Sequence, residues 1–288
     1  MRRRQGSHLK IAAATIRPSL EPSVTRERIS DVIESTMAAD PDVRLILFGE
    51  VILGWFGRKG KTREYHESIA EAIDGPSIRF IGDAARKHAV YVSFGLSERD
   101  GEAIYNTQVL LSPEGELIAA HRKFWVFNPA FTAGERTLTA VNIDGAKVAL
   151  LICADVRSTR LLRAIRKEKV DVVLAGLADY GVDFTMSRII GTFFDAWAIT
   201  ANRFGVEDSI EWHGLTTITD RWGRLVQSSL GRECVLVQSV PLDGGSTWTR
   251  AVRKVLVLFR VCAVVLAMIL RKLRPRNAGR SSRNTSST

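Results

Sequence analysis

Cysteine is scarce in this chain, and the few cysteines are not arranged as pairs. The 288 residues contain three, Cys153, Cys234 and Cys262, which lie far apart with no Cys-x-x-Cys spacing and no histidine at a zinc-binding interval. This distribution excludes a disulfide framework and the common structural zinc sites. The sequence therefore gives no indication of a zinc site and favours a protein of a reducing compartment.

The chain also lacks the apolar core of a signal peptide. Three arginines follow Met1, but the next apolar stretch, Ile11 to Ile16, has only six residues and is followed by Arg17-Pro18. An export signal needs an apolar core of about 7–15 residues. The stretch therefore predicts a first β-strand, and we expect a cytoplasmic protein.

Acidic residues are absent from the C-terminal end. From Thr249 onward there are ten lysines and arginines and no Asp or Glu, which leaves 31 basic residues against 31 acidic ones in residues 1–248. The net charge of +10 thus belongs to the tail. It does not indicate nucleic-acid binding by the whole protein, and no nucleic-acid partner is predicted.

The tail's apolar run is short for a helix that spans a bilayer. Val255 to Leu270 has 16 residues, contains Arg260 and is flanked by basic residues, whereas a span needs about 20. Three interpretations stay open: a helix that associates with a membrane surface through residues 250–276, a helix buried between subunits, or a disordered terminus. The predicted organisation comprises a basic extension (1–8), a main domain (9–245), a basic-flanked apolar helix (246–276) and a disordered tail (277–288).

Strand and helix patterns alternate through about residue 240. Val43 to Phe48 and Val148 to Ile152 are almost wholly apolar, as expected of strands covered on both faces. Two further strands are predicted on either side of a turn over 97–102. Helical spacing predicts helices over 23–39, 77–88, 158–167 and 183–199. The alternation favours one α/β layered sandwich.

Three chemically complementary residues stand directly after predicted strands: Glu50, Lys123 and Cys153. Cleavage of an amide or nitrile through a covalent intermediate needs a nucleophile, a group that manages its proton, and positive charge where the oxyanion develops. Taken singly, the cysteine would more often be a core residue and the other two a surface pair. Their shared placement at strand ends favours a common site.

Six motifs carry a resemblance to a known family. In chain order they are LILFGE ending at Glu50, HRKFWVF around Lys123, FTAGE ending at Glu135, ALLICAD around Cys153, Asn202 to Glu207, and Thr219 to Gly223. In this order, and over residues 9–240, they resemble the nitrilase superfamily of carbon-nitrogen hydrolases. The Asp155 that follows Cys153-Ala154 resembles the amidase-like branch rather than true nitrilases.

The resemblance implies a fold, a mechanism and an assembly. It implies a four-layer αββα sandwich, here with an added C-terminal apolar helix, no metal or organic cofactor, and homodimers or larger homo-oligomers. Glu50 would be the general base, Lys123 would stabilise the tetrahedral intermediate, Cys153 would be the nucleophile, and Glu135 would be a second catalytic glutamate. The implied substrate is a small linear amide or carbamoyl compound, with nitrile hydrolysis or membrane-associated N-acyl transfer as alternatives.

Substrate-binding residues are predicted around these groups. Backbone N–H groups at the helix start that includes Ala154 can donate to an oxyanion. Trp125, beside the lysine, is expected to line an apolar pocket, although a place in the core or a subunit interface fits equally well. Asp179 and Tyr180 follow a predicted strand at the active-site edge. Asp179 would recognise a cationic group of the substrate or, alternatively, cap a helix.

Overall fold

Two six-stranded sheets and a hairpin form the β-structure of the chain. The structure, a computed structural model, describes residues 8–179 and 185–242, together with Val252, Val255 and Phe259. The strands are β1 (His8–Thr15), β2 (Leu45–Leu47), β3 (Tyr91–Asp100), β4 (Ala103–Leu111), β5 (Leu117–Arg122), β6 (Thr139–Ile143), β7 (Ala146–Ile152), β8 (Val172–Leu177), β9 (Trp197–Asn202), β10 (Phe204–Glu207), β11 (Ile210–His213), β12 (Thr216–Thr219), β13 (Leu225–Ser229) and β14 (Cys234–Pro241).

Each sheet has a parallel centre and antiparallel edges. The first sheet has the order β14-β1-β2-β3-β4-β5, and the second has the order β13-β12-β9-β8-β7-β6, while β10 and β11 pair only with each other. Strand β2 runs parallel to β1 and β3, and β8 runs parallel to β7 and β9. The carboxyl ends of these parallel strands are the usual place for ligand-facing residues in open α/β sheets.

Helices cover the outer face of each sheet. They are α1 (Pro22–Ala39), α2 (Thr62–Ile69), α3 (Pro76–His88), α4 (Thr159–Lys167) and α5 (Thr185–Phe194). One apolar cluster joins α1 and α3 to the first sheet, a second fills the space between the two sheets, and a third joins α4 and α5 to the second sheet. The layers therefore run helix, sheet, sheet, helix, as predicted.

Several element boundaries differ from the predictions. The helix predicted over 183–199 ends at Phe194, because Asp195 has a φ of 58° and residues from Trp197 form the buried strand β9. The turn predicted over 97–102 is also wrong, since β3 continues to Asp100 and pairs residue by residue with β4. Helix α2 and the β10–β11 hairpin were not predicted.

The chain forms two compact units, residues 1–244 and 245–288. Of the second unit, only Val252, Val255 and Phe259 are described, and these three are helical. The rest of the predicted apolar helix over 246–276, the tail over 277–288 and residues 1–7 lie outside the described residues. Among the helices that the structure describes, none is long and apolar enough to cross a membrane.

Candidate active site

Glu50 is fixed between the two sheets by its backbone. It follows β2, and its N–H donates to the carbonyl oxygen of Leu177 at the end of β8 over 3.2 Å. Gly95 on β3 lies so close that an added Cβ would be 2.3 Å from the Val51 nitrogen. Since no side chain fits there, glycine lets β3 pass directly behind the glutamate.

The Glu50 carboxylate accepts three hydrogen bonds inside the protein. Lys123 Nζ and Asn106 Nδ2 each donate to Oε1 over 2.6 Å, and the Ala178 N–H donates to Oε2 over 2.8 Å. Glu50 is fully buried and Lys123 nearly so. A buried ion pair is stable only when its other donors and acceptors also form hydrogen bonds. Here both oxygens of the Glu50 carboxylate accept hydrogen bonds.

Lys123 is held as a cation by its surroundings. Burial lowers its pKa, but the Glu50 carboxylate, the Cys153 sulfur and Asp155 together outweigh this effect, so the pKa of Lys123 is raised. Its backbone is fixed as well, because its N–H donates to the Asn106 carbonyl oxygen over 2.8 Å. The ammonium can therefore stabilise negative charge without first gaining a proton.

Cys153 begins a tight turn at the end of β7. Its φ is 40°, in the left-handed region, and residues Cys153–Arg157 form a single 3₁₀ segment before α4. A non-glycine residue in this region costs about 1–3 kcal/mol, and such strain clusters at functional sites. The thiol is free and partly exposed, which leaves it open to the adjacent pocket.

The Cys153 thiol is protonated at neutral pH. Although the pocket reaches one side of the residue, burial of the sulfur raises its pKa to about 12, and the charge of Glu50 adds to this while Lys123 opposes it. A thiol of this pKa is a poor nucleophile until a base removes its proton. The neighbouring carboxylate is the group placed to do so.

Asp155 joins the nucleophile turn to the lysine loop. It is fully buried and accepts hydrogen bonds from the Trp125 N–H over 2.9 Å and from His121 Nε2 over 3.1 Å. The other ring nitrogen of His121 contacts Thr139 Oγ1 at 3.1 Å. This network fixes the spacing between Lys123 and Cys153.

Arg203 anchors the loop that follows Glu50. Its fully buried guanidinium donates to the carbonyl oxygens of Glu50 and Val51 over 3.1 and 3.3 Å, and it pairs with Glu207. Glu207 in turn accepts the Phe56 N–H over 2.7 Å. The Asn202 to Glu207 motif thus acts on the site through the backbone of the glutamate loop.

One pocket of about 440 Å³ opens over the cysteine. Its polar lining includes Asn106, Lys123, Asn128, Cys153, Arg157, Asp179, Ser187, Thr200 and Thr217. Its apolar lining includes Phe56, Val126, Phe127, Phe131, Val156, Leu177, Ile190 and Leu215. This volume lies within the range of about 300–1,000 Å³ typical of small-molecule sites.

The structure brings most, but not all, of the predicted site residues together. Lys123, Cys153, Ala154 and Asp179 line the pocket, with Glu50 buried behind Lys123. The Asp179 backbone is tied on both sides to the Asn202 amide. Tyr180 lies outside the described residues.

Glu135 and Trp125 do not line the pocket in this structure, and their roles in the site stay predictions. The loop that follows Lys123 comes back to this residue at Gly134, whose N–H donates to the Lys123 carbonyl oxygen over 2.8 Å. The Glu135 side chain is exposed and is not among the residues that line the pocket. Trp125 is held by Asp155 at the rim, where its side chain is 39% exposed, and Phe127 lines the pocket instead.

Metal binding has no support in the described part of the chain. Within residues 8–179 and 185–242, no group of three or more His, Cys, Asp or Glu side chains is arranged to hold an ion. The chemistry of the pocket is that of a thiol beside a buried carboxylate–ammonium pair.

A comparison of the sequence with known protein families gives a match over most of the chain. The profile of the carbon-nitrogen hydrolase family matches residues 10–250. The chain belongs to the carbon-nitrogen hydrolase family. The family assignment predicted from the six motifs is therefore confirmed.

Similar carbon-nitrogen hydrolases are found among curated proteins. The chain is 28% identical over 176 residues to a formamidase of Bacillus cereus, a match covering 59% of this chain and 52% of the relative. It is 25% identical over 192 residues to nitrilase 3 of Arabidopsis thaliana, covering 58% and 54%. The chain thus matches about half the length of these relatives.

Solved structures support the fold. The carbon-nitrogen hydrolase superfamily protein XC1258 from Xanthomonas campestris superposes with a TM-score of 0.73 at 18% identity, covering 86% of this chain and 94% of the other. An amidase from Nesterenkonia gives 0.71 at 20% identity, covering 83% and 93%. At these identities the likeness concerns the fold alone.

Proposed function

We propose that this chain hydrolyses the carbon-nitrogen bond of a small linear amide or carbamoyl compound through a cysteine thioester. One observation carries the proposal: the buried Glu50–Lys123 pair, at 2.6 Å, adjoins a strained, pocket-facing Cys153. The family membership and the name of the formamidase among its relatives support the same class of reaction.

In the first half of the reaction, the carboxylate of Glu50 takes the proton of the Cys153 thiol as the sulfur attacks the carbonyl carbon. A bond forms between sulfur and carbon, and the carbonyl oxygen becomes an oxyanion. Lys123 and the backbone N–H of Ala154 are the proposed donors to that oxyanion. When the carbon-nitrogen bond breaks, the proton on Glu50 passes to the leaving nitrogen, so an amine or ammonia departs and a thioester remains.

In the second half, water replaces the amine. Glu50, again a carboxylate, takes a proton from the water as its oxygen attacks the thioester carbon. The carbon-sulfur bond breaks, the thiol is restored with the proton from Glu50, and the acid leaves. A single carboxylate can serve both halves because it ends each half in its starting form.

The alternatives differ in the bond attacked or in the acceptor. Nitrile hydrolysis would use the same thiol, and one relative is named as a nitrilase, but Asp155 after the nucleophile favours the amide. N-acyl transfer at a membrane would replace water by an amine. Homo-oligomer formation and a cytoplasmic location with membrane association through residues 250–276 remain predictions.

A substrate panel tests the proposal. Purified full-length protein is incubated with short amides, carbamoyl amines and nitriles, and ammonia release is measured. We expect release from amides or carbamoyl compounds, at least 10-fold faster than from the matching nitriles, and none with Cys153→Ala. Undiminished ammonia release by this variant would refute the thiol mechanism. Faster release from nitriles than from amides or carbamoyl compounds would make nitriles the substrate class.

The same panel tests the proposed role of Asp179. If its carboxylate recognises a cationic group, the wild-type protein prefers amine-bearing amides over neutral ones of equal length, and Asp179→Ala loses that preference by roughly 10-fold or more. An unchanged preference in the variant would contradict a role for Asp179 in recognising the cationic group.

A further inference from the structure

A buried histidine lies behind the pocket and takes no part in the proposed chemistry. His66, on α2, is fully buried. Its Nε2 lies 3.0 Å from the carbonyl oxygen of Phe56, and its Nδ1 lies 2.9 Å from Ser97 Oγ. A carbonyl oxygen can only accept, so Nε2 carries a proton and donates to Phe56. Burial lowers the pKa of His66 to about 4, so the ring is neutral at neutral pH and Nδ1 accepts from the Ser97 hydroxyl.

This histidine contacts both of the loops that form one wall of the pocket. Phe56 belongs to the loop between β2 and α2, whereas Asn128 and Phe131 belong to the loop between β5 and β6. All three of these residues line the pocket. The rings of His66 and Phe131 pack together with their centroids 4.5 Å apart, and Asn128 Nδ2 donates to the Phe56 carbonyl oxygen over 3.4 Å. The hydrogen bond and the ring contact of His66 therefore join the two loops.

Phe56 is held on both sides of its backbone. Its N–H donates to Glu207, and its carbonyl oxygen accepts from His66. Its ring packs edge-on against Trp212, with the centroids 5.7 Å apart. Closely packed interiors pass on small displacements rather than absorb them. Loss of the hydrogen bond to the carbonyl oxygen is therefore expected to let the Phe56 segment move and to widen the pocket at this wall.

We propose that His66 sets the size of the acyl group that the pocket accepts, because its Nε2 holds the wall formed by Phe56 and Phe131. His66 is thus a positioning residue. The substrate class that follows is an amide with a short, unbranched acyl chain. This conclusion about substrates rests on the proposed hydrolase function, whereas the effect of His66 on the width of the pocket does not. A histidine that only stabilised the fold would affect small and large ligands alike.

Two amide side chains of different length separate these roles. In His66→Gln the amide nitrogen can take the place of Nε2 and donate to Phe56, whereas the shorter side chain of His66→Asn reaches only as far as Ser97. Ser97→Ala is the control, because it removes the hydroxyl at Nδ1 and leaves the hydrogen bond to Phe56. His66→Leu, which also lacks the donor but keeps the side-chain volume, replaces His66→Asn if that variant does not fold.

The size of the pocket is measured by alkylation of Cys153 in the full-length chain with iodoacetamide and with N-benzyl iodoacetamide. Both reagents react with the same thiolate, so the ratio of their rates does not depend on the pKa of Cys153. We expect the wild-type protein, His66→Gln and Ser97→Ala to react at least 10-fold faster with the small reagent, and this ratio to fall to about threefold or less in His66→Asn. An unchanged ratio in His66→Asn, or an equal fall in His66→Gln or Ser97→Ala, would overturn the proposal.

Ammonia release from acetamide and hexanamide gives the second measurement. In His66→Asn, the preference for acetamide in kcat/KM should fall by roughly 10-fold, mainly through a lower KM for hexanamide. An equal loss of kcat with both amides would indicate a purely structural role and contradict the proposal. If the wild-type protein releases no ammonia but the alkylation ratio still falls in His66→Asn alone, the hydrolase function fails and the role of His66 in setting the pocket size stands.

Discussion

Replacing Glu50 with glutamine is expected to lower kcat by about 10²–10⁴-fold. Glutamine keeps the length of the side chain and an oxygen for Lys123, but it cannot accept the thiol proton. The same substitution removes a negative charge that helps to raise the pKa of Cys153 to about 12. The pKa of the thiol should therefore fall in the variant even as turnover is lost.

The pH dependence of alkylation separates these two effects. Iodoacetamide reacts with the thiolate, so the rate at Cys153, followed by peptide mass, should rise through pH 10 without a plateau in the wild-type protein. In Glu50→Gln, the rise should begin at lower pH. Glu135→Gln is the control, because the Glu135 side chain is exposed outside the pocket. A loss of activity in this control equal to that of Glu50→Gln would return Glu135 to the site.

Removing the lysine of the buried pair should destabilise the fold as well as stop the reaction. Lys123→Met leaves the Glu50 carboxylate buried without its cation, which costs about 3–5 kcal/mol of unfolding free energy. The double variant Glu50→Gln/Lys123→Met buries no charge at this position, so it should regain much of that stability. It should not regain turnover, because both the base and the oxyanion-stabilising cation are gone.

A surface pair provides the comparison for this prediction. Lys147 and Glu168 lie 2.8 Å apart with their side chains about one-third exposed. Breaking that pair with Lys147→Met should cost less than about 1 kcal/mol, because water solvates the remaining charge. Urea unfolding monitored by circular dichroism measures all three variants. A cost for Lys123→Met no larger than for Lys147→Met would show that the Glu50–Lys123 pair is not the buried contact described here.

Local sequence pattern predicted the elements that carry the catalytic groups. The strands that lead to Glu50, Lys123 and Cys153 are apolar or alternate regularly. Lys123 and Cys153 follow their strands directly, and Glu50 lies three residues after the end of β2. The ends of helices and strands were predicted less well where pairing with a strand distant in sequence determines them. Trp197 and the residues after it continue a helical pattern, but parallel pairing with β8 makes them a strand.

The residues that support the site were harder to predict because their partners are distant in sequence. Asn106 contacts Glu50 across 56 positions, and Ala178 does so across 128. A signal for Asn106 was present, since Asn106, Thr107 and Gln108 are three successive polar residues in a strand that is otherwise mostly apolar. All three are buried, and buried polar residues need partners. His121 gave no such signal.

The position of the Glu135 side chain could not be predicted from its motif. The FTAGE segment resembles a loop of the family, but the resemblance could not show where the side chain points. The Gly134 N–H donates to the Lys123 carbonyl oxygen, and the Glu135 side chain that follows is exposed. The predicted second glutamate is therefore absent from the pocket lining, and Glu50 is the carboxylate that contacts Lys123.

The proposed mechanism requires a thioester on Cys153. Acid-quenched mass spectrometry detects this intermediate directly. The full-length protein is mixed with the amide that releases ammonia fastest, quenched within one turnover and digested. We expect the peptide containing Cys153 to gain the mass of the acyl group, hydroxylamine to remove it, and Cys153→Ala to show no gain. Ammonia release with no adduct on Cys153, or with the adduct on Cys234, would show that Cys153 is not the nucleophile.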